Sequence, residues 1–391
     1  MTLIENRDSL LDNSGTPGDR RARSLVLDGL EAALEASDPA SAVRSHVKVS
    51  EATLQIDGFT LNLAESRRII VIGGGKAGGA MAEALESILG DYVTEGVVNV
   101  LEGTAARFRT RRVRLNEASH PIPNENGMLG VRRMLDLIGG ADPRDIIICL
   151  ISGGGSALMP LPRGDVSLSD KQSITKALLR SGATINELNA VRKHLSDFKG
   201  GMLAKKAFPA TVISLILSDV VGDPLDVIAS GPTVPDSSRF SDAVAILKRY
   251  NLWDTAPLTI RGILDRGKSG GIEENPKQGD LIFNKVHNAI IGSNRIACFA
   301  AQKKLKERKV NAVFLTSFLE GEARDAGIFL ASIAREISTS DNPVSKPAGV
   351  ILGGETTVTV RGSGRGGRNQ EVMLSAAMKI QGIERVALSS M

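Results

Sequence analysis

The feature that most constrains this chain is a run of apolar, mostly β-branched residues, Val212, Ile213, Leu215, Ile216 and Leu217, that stops abruptly. It gives way to Ser218-Asp219-Val220-Val221-Gly222-Asp223-Pro224 and then to Ala229-Ser230-Gly231-Pro232-Thr233. Such a run predicts a strand of an α/β sheet buried on both faces. Crevices at the carboxyl ends of parallel strands are where these sheets bind ligands. Two carboxylates there, Asp219 and Asp223, are able to hold a hard cation or to take a proton from a hydroxyl. Asp, Gly and Pro are also the usual turn residues, so a plain turn explains the same stretch. Further glycine-rich strand exits elsewhere in the chain favour a site.

The first of these exits follows Arg68-Ile69-Ile70-Val71-Ile72 and reads Gly73-Gly74-Gly75-Lys76-Ala77-Gly78-Gly79, with a helix expected over 80–89. Gly73, Gly75 and Gly78 fit G-x-G-x-x-G, and Glu102 closes the next strand, as in a dinucleotide fingerprint. Lys76 lies inside the loop, where its ammonium adds a full charge that a dinucleotide pyrophosphate does not require but a transferring phosphoryl group profits from. A second exit follows the strand expected over 145–151 and reads Ser152-Gly153-Gly154-Gly155-Ser156-Ala157, a ring of N–H and O–H donors suited to an anion. His120, in His120-Pro121-Ile122-Pro123, reads as a turn cap more than a cleft residue.

Residues 169–206 look helical, which puts Arg192, Ser196 and Lys199 at i, i+4 and i+7 on one face, pointing into the cleft. From about residue 286 the α/β pattern restarts, with Gly292-Ser293-Asn294 before a helix and a strand ending in Gly353-Gly354-Glu355. An alternating strand is expected over 357–361, followed by Gly362-Ser363-Gly364-Arg365-Gly366-Gly367-Arg368, an anion-gripping loop at a helix start.

Composition limits the rest. A net charge of +4 with scattered basic residues and only 3% aromatics speaks against a nucleic-acid binder. No run of about 18 apolar residues is present, so no membrane span is expected and the location expected by default is cytoplasmic. Cys149 and Cys298 sit in apolar surroundings without metal-ligand spacing and read as free thiols in a reducing compartment. The first 17 residues are polar and expected to be loose, and a packing helix is expected over 19–36.

Several of these stretches together resemble the class II glycerate kinases. They are Gly-Gly-Gly-Lys-Ala (73–77), Ser-Gly-Gly-Gly-Ser-Ala-Leu (152–158) and Arg-Lys-His-Leu-Ser-Asp-Phe-Lys-Gly-Gly (192–201). Leu-Ser-Asp-Val-Val-Gly-Asp-Pro (217–224), Ala-Ser-Gly-Pro-Thr (229–233), Gly-Glu-Ala-Arg (321–324) and Gly-Gly-Arg-Asn-Gln-Glu (366–371) complete the set. The resemblance runs in order through nearly the whole chain after residue 20. It implies an ATP-dependent kinase acting on D-glycerate, with 2-phosphoglycerate as product; Mg²⁺ is the cofactor expected to bridge the ATP phosphates. It implies an α/β architecture: an N-terminal Rossmann-like domain with a parallel sheet over 1–285 (1–18 flexible), and a smaller C-terminal α/β domain of the MOFRL type over 286–391. The active site is expected in the cleft between them.

Lys76, Asp219 and Arg368 match catalytic positions of that family. Gly74, Gly75, Ser152, Gly153, Gly154, Gly155, Ser156, Arg192, Lys199, Asn294 and Glu355 are the candidates for substrate and nucleotide binding. Asp219, and after it Asp223, are the candidate metal ligands. A homodimer is the assembly considered. Family members continue past the strand that residues 385–389 resemble into a Thr-Asp-Gly loop and a final helix, so the C-terminal domain is expected to be incomplete. The rival readings are a nicotinamide-dependent hydroxypyruvate reductase and a non-catalytic hydroxyacid- or nucleotide-binding protein. The first would use Arg192 and His194, which at i, i+2 do not share a helix face.

Overall fold

The computed structural model describes residues 3–391 and forms two compact units. One is Pro39–Ile291; the other joins the N-terminal residues up to Asp38 to Gly292–Met391. This division differs from the one expected, which assigned 1–285 to a single domain. The N-terminal helix Pro17–Ser37 packs on helix Asn294–Glu307, through Gly29 against Leu305 and Ala33 against Ala297 and Ala301. The first residues are not featureless either: Arg7–Asp12 is helical, and Arg7 pairs with Asp28 and with Glu31 at 3.2 Å.

The larger unit begins with an antiparallel sheet of β1 (Val47–Ser50), β2 (Thr53–Ile56) and β3 (Phe59–Asn62). It continues into a six-stranded sheet of β4 (Ile69–Gly74), β5 (Glu95–Leu101), β6 (Val113–Ala118), β7 (Ile146–Ser152), β8 (Thr211–Leu217) and β9 (Val286–Gly292). Their order is β6-β5-β4-β7-β8-β9, and β6 through β8 pair in parallel. The chain builds outward from β4 in one direction, then crosses back to place β7 on its other side. This is the strand order of the doubly wound dinucleotide-binding fold, and the reversal leaves a crevice between the ends of β4 and β7.

Why these runs become central strands is plain from their burial. Every residue of β4 and β7 is buried, because helices cover both sheet faces. Alternate residues serve opposite cores: Ile69 and Val71 pack with Leu85 and Leu150, Ile70 and Ile72 with Met134 and Cys149. Cys149 and Cys298 are buried and free, and burial pushes their thiols up to about 12 and about 11.

Two expected elements differ. The helical stretch over 169–206 is three helices, Leu168–Arg180, Ile185–His194 and Met202–Ala207. Ser196 therefore lies beyond a helix end, and its hydroxyl accepts from the Phe198 and Lys199 amides, both at 3.3 Å. A serine that satisfies the backbone locally in this way competes with helix propagation. Arg192, Ser196 and Lys199 thus do not share a helix face. In the second unit β10 (Asn311–Leu319) and β11 (Ala348–Gly354) pair in parallel, but residues 357–361 form no strand beyond a single bridge of Thr357 to Glu322. Residues 385–389 are likewise not a strand. No helix among the described residues is long and apolar enough to cross a membrane.

Candidate active site

Parallel pairing of β4, β7 and β8 sets three exits side by side: Gly75-Lys76 after β4, Gly153-Gly154 after β7 and Asp219 after β8. The Lys76 amide donates to the Gly153 carbonyl at 2.8 Å, and the Ala77 amide to the Ser152 hydroxyl at 3.1 Å. The first two loops are thereby locked together. Much of the glycine in them serves this locking. Gly75 has φ +154°, and a methyl group on it would lie 2.0 Å from the Ser152 hydroxyl and 2.7 Å from its carbonyl oxygen. Gly74 and Gly155 are buried, closed in by Asn99 and Ala229 respectively. Of the residues expected to bind ligand here, Gly74, Gly75, Ser152 and Gly155 bring the backbones together, while Gly153, Gly154 and Ser156 remain accessible.

Over the accessible part lie three chemically active side chains. Lys76 is exposed, and its stem crosses Gly154: a methyl group there would meet Lys76 Cγ at 3.2 Å and Cε at 3.3 Å. Gly154 itself sits at φ +80°, a conformation that glycine adopts without penalty. Asp219 is exposed, with Oδ2 so close to Gly153 that a methyl group there would come within 2.1 Å of it. His120 faces the same place, its Cδ2 lying 3.1 Å from the corresponding position on Gly154. Burial and then the Lys76 charge hold its imidazole below the ordinary histidine range, against an opposing pull from Asp219. His120 faces the crevice at the strand exits, where its sequence alone suggests a turn cap. The signal was present in its rigid His-Pro-Ile-Pro loop, but its neighbours are distant in sequence.

Behind the second exit the Ser156 hydroxyl lies 2.9 Å from that of Ser230, which donates to Asn189 Oδ1 at 3.2 Å. Lys199 is 1% exposed and donates to the Ser156 carbonyl at 2.8 Å. Burial, then the charges of Arg192 and Lys171, hold its ammonium well below the ordinary lysine range. Lys199 thus belongs to the same neighbourhood as Arg192 despite the broken helix. Asp223 lies in a turn, its amide donating to Val220 at 3.1 Å, with φ +54°.

The second unit carries its own group of arginines. Arg368 opens the helix Arg368–Lys379 and pairs with Glu355 at 2.6 Å. Both line or adjoin a groove of about 620 Å³ that also takes in Arg324, Arg361, Arg365 and Glu322. Asn294 does not present a free amide: Nδ2 donates to the Gly354 carbonyl at 3.0 Å and Oδ1 accepts from Cys298 at 3.5 Å. It braces the end of β11.

No group of three or more His, Cys, Asp or Glu side chains gathers as a metal site among the described residues. Magnesium does not demand one, since it is commonly held by one or two carboxylates together with substrate phosphates and water. The lone exposed Asp219 fits that requirement.

A doubly wound sheet with a lysine, a histidine and an aspartate over its switch point defines a nucleotide- or anion-handling α/β protein. Its sequence relatives narrow the class. Residues 25–265 match the family described as a domain of unknown function, DUF4147, and residues 348–391 match the MOFRL family. A glycerate 2-kinase of Pyrococcus horikoshii is 44% identical over 94% of this chain and 81% of its own length. A crystal structure of a glycerate kinase from Thermotoga maritima superposes with a TM-score of 0.82 at 40% identity, covering 92% of this chain and 80% of that one. A relative in Agrobacterium vitis, 38% identical over 94% of this chain and 78% of its own length, carries a hydroxypyruvate reductase name. The chain belongs to the glycerate kinase family marked by the DUF4147 and MOFRL segments.

Proposed function

We infer that this protein transfers the γ-phosphoryl group of ATP to D-glycerate, at the 2-hydroxyl, giving 2-phosphoglycerate and ADP. The observation that carries the reading is the convergence of Lys76 and Asp219 on the Gly153-Gly154 turn, a cation and a carboxylate across one strand exit. Phosphoryl transfer asks little covalent chemistry of a protein and is accelerated by positioning and by charge placed on the moving group. In this reading Lys76 supplies that charge. Asp219 accepts the proton of the attacking hydroxyl, which is too weak an acid to ionise unaided at neutral pH. Magnesium, arriving with the nucleotide, would neutralise phosphate charge; Asp219 would hold it only in place of acting as the base, and the Mg²⁺ dependence of an Asp219 variant separates the two roles. His120, held neutral, offers a hydrogen bond without adding a second charge beside Lys76. Arg368, paired with Glu355, is the cation of the second unit's groove suited to a phosphate. Two buried free thiols support a reducing, cytoplasmic setting.

The name of the Agrobacterium relative favours a second reading, reduction of hydroxypyruvate. Against it stands Lys76, an ammonium placed in the turn after β4, where the fold otherwise admits a dinucleotide pyrophosphate on backbone amides alone. Incubation with ATP, Mg²⁺ and D-glycerate, followed by ³¹P NMR of the products, separates the readings. The kinase predicts the 2-phosphoglycerate resonance and ADP. Oxidation of NADH by hydroxypyruvate with no phosphoglycerate formed would replace it with the reductase.

A further inference from the structure

We propose that Asn189 and Arg192 hold the carboxylate of the acceptor, with Ser230 orienting the Asn189 amide, and so select a hydroxy acid over a neutral polyol. The proposal rests on the kinase reading and gives its substrate an orientation. Asn189 is 3% exposed on helix Ile185–His194, and while its Oδ1 accepts from Ser230, its Nδ2 has no hydrogen-bond partner. Buried amide donors are rarely left unpaired without a ligand to meet them. Being on the same amide, that N–H lies beside the Ser230–Ser156 hydroxyl pair. Ser230 gives its proton to Asn189, so Ser156 donates to Ser230, and the hydroxyl chain has a fixed direction that leaves the amide N–H for an outside acceptor.

The charge around this donor points to an anion. Arg192 follows Asn189 by three residues on the same helix, so the two side chains share a face. Among the described residues Arg192 has no carboxylate partner, and burial alone acts on it. The lysines near it spend their ammonium groups on carbonyls, Lys199 on Ser156 at 2.8 Å and Lys171 on Leu195 at 3.0 Å. The carboxylate acting on Lys171, Asp197, is engaged by Arg163 at 3.2 Å. Arg192 is therefore the basic side chain of this group that has neither a carboxylate nor a carbonyl partner among the described residues, and an incoming carboxylate would supply one.

The occupant is the acid rather than a nucleotide phosphate for a reason of length. In glycerate the carboxylate carbon is bonded directly to the carbon bearing the 2-hydroxyl. The carboxylate site must then lie within a few bonds' reach of the group that takes the hydroxyl proton. Gly153, beneath Asp219, lies three residues before Ser156, which is on the short helix Gly155–Leu158. The Ala229-Ser230-Gly231 segment runs with φ of +50°, +63° and +60°, a backbone that carries strain at two residues with side chains.

The test compares the full chain with Asn189→Asp and Arg192→Met. Calorimetry measures binding of D-glycerate and of its neutral amide without ATP, and steady-state assays give KM for both substrates. Losing hydrogen bonds to a charged group predicts a KM for glycerate raised by about tenfold or more, while KM for ATP stays within about twofold. Arg192→Met, which has no partner to abandon, keeps the test open if Asn189→Asp does not fold; it should also lose the preference for glycerate over glyceramide. Unchanged glycerate affinity, or a shift confined to ATP, would overturn the proposal and leave the kinase standing. If the wild type binds glycerate, loses it on substitution, yet makes no phosphoglycerate, the site stands and the kinase falls. A wild type that does neither sinks both.

Discussion

The Gly153 main chain lies directly beneath the Asp219 carboxylate, so close that a single added methyl group would stand 2.1 Å from Oδ2. Two strand exits are thereby coupled, and the orientation of the proposed base depends on the absence of one side chain. Gly153→Ala should displace Asp219, and a displacement of about 1 Å is worth roughly 100-fold in rate. The displaced group is an exposed side chain free to move, so the melting temperature should change by no more than a few degrees. Kinetics and calorimetry on the same variant check this; an unchanged rate would show that Asp219 does not act from this position.

Gly75→Ala should behave in the opposite way. Its methyl group would meet Ser152 backbone as well as its hydroxyl, at a φ that side chains rarely adopt. Strain and overpacking of about 1–3 kcal/mol each predict a clear loss of stability in thermal unfolding.

That contrast bears on how much was legible in the sequence. The β4, β7 and β8 runs announce themselves because both sheet faces are covered, which removes polar alternation and leaves continuous Ile, Val and Leu. Their glycine-rich exits marked the site, but not which glycines serve packing and which serve ligand. That depends on neighbours such as Ser152 and Asp219, 77 and 66 residues away from Gly75 and Gly153 respectively by their numbering. The helix end at His194 escaped because the Ser196 hydroxyl captures two backbone amides, a local competition that apolar periodicity does not register. The alternation over 357–361 suggests a strand, yet the segment pairs only through one bridge, Thr357 to Glu322, at the start of a helix. Pairing of the N-terminal helix with Asn294–Glu307 is a contact across the length of the chain. His120, Asn189 and Ser230 gain meaning only from residues brought beside them by the fold.

His120 reports the geometry without any assay. Its imidazole should titrate below the ordinary value of about 6.5. Lys76→Met should raise it, because a positive charge that disfavours imidazolium is gone; Asp219→Asn should lower it further. NMR can resolve it among the chain's four histidines. The sign carries to stability: the folded state prefers neutral His120, so its contribution is full above the unfolded pKa. It falls as pH drops from there toward the lowered folded value, and is then constant.

Arg368 and Glu355 are each about half exposed, 50% and 47%, and an ion pair of that kind contributes only about 0–1 kcal/mol. Arg368→Ala should therefore leave the melting temperature almost unmoved. If the arginine stabilises phosphate charge, the rate should nevertheless fall by roughly 100-fold, as on loss of a transition-state contact. Unfolding and turnover measured side by side separate the two effects.

Turnover of Asp219→Asn with ATP and D-glycerate, across a series of Mg²⁺ concentrations, tests the central claim most directly. Removing a general base costs about 100-fold or more, and excess metal should not restore it while ATP binding survives. Partial rescue by Mg²⁺ would reassign the carboxylate to the metal in the same crevice. Full turnover with normal Mg²⁺ dependence would contradict the account, because the crevice at the ends of β4, β7 and β8 would then not be where phosphoryl transfer occurs.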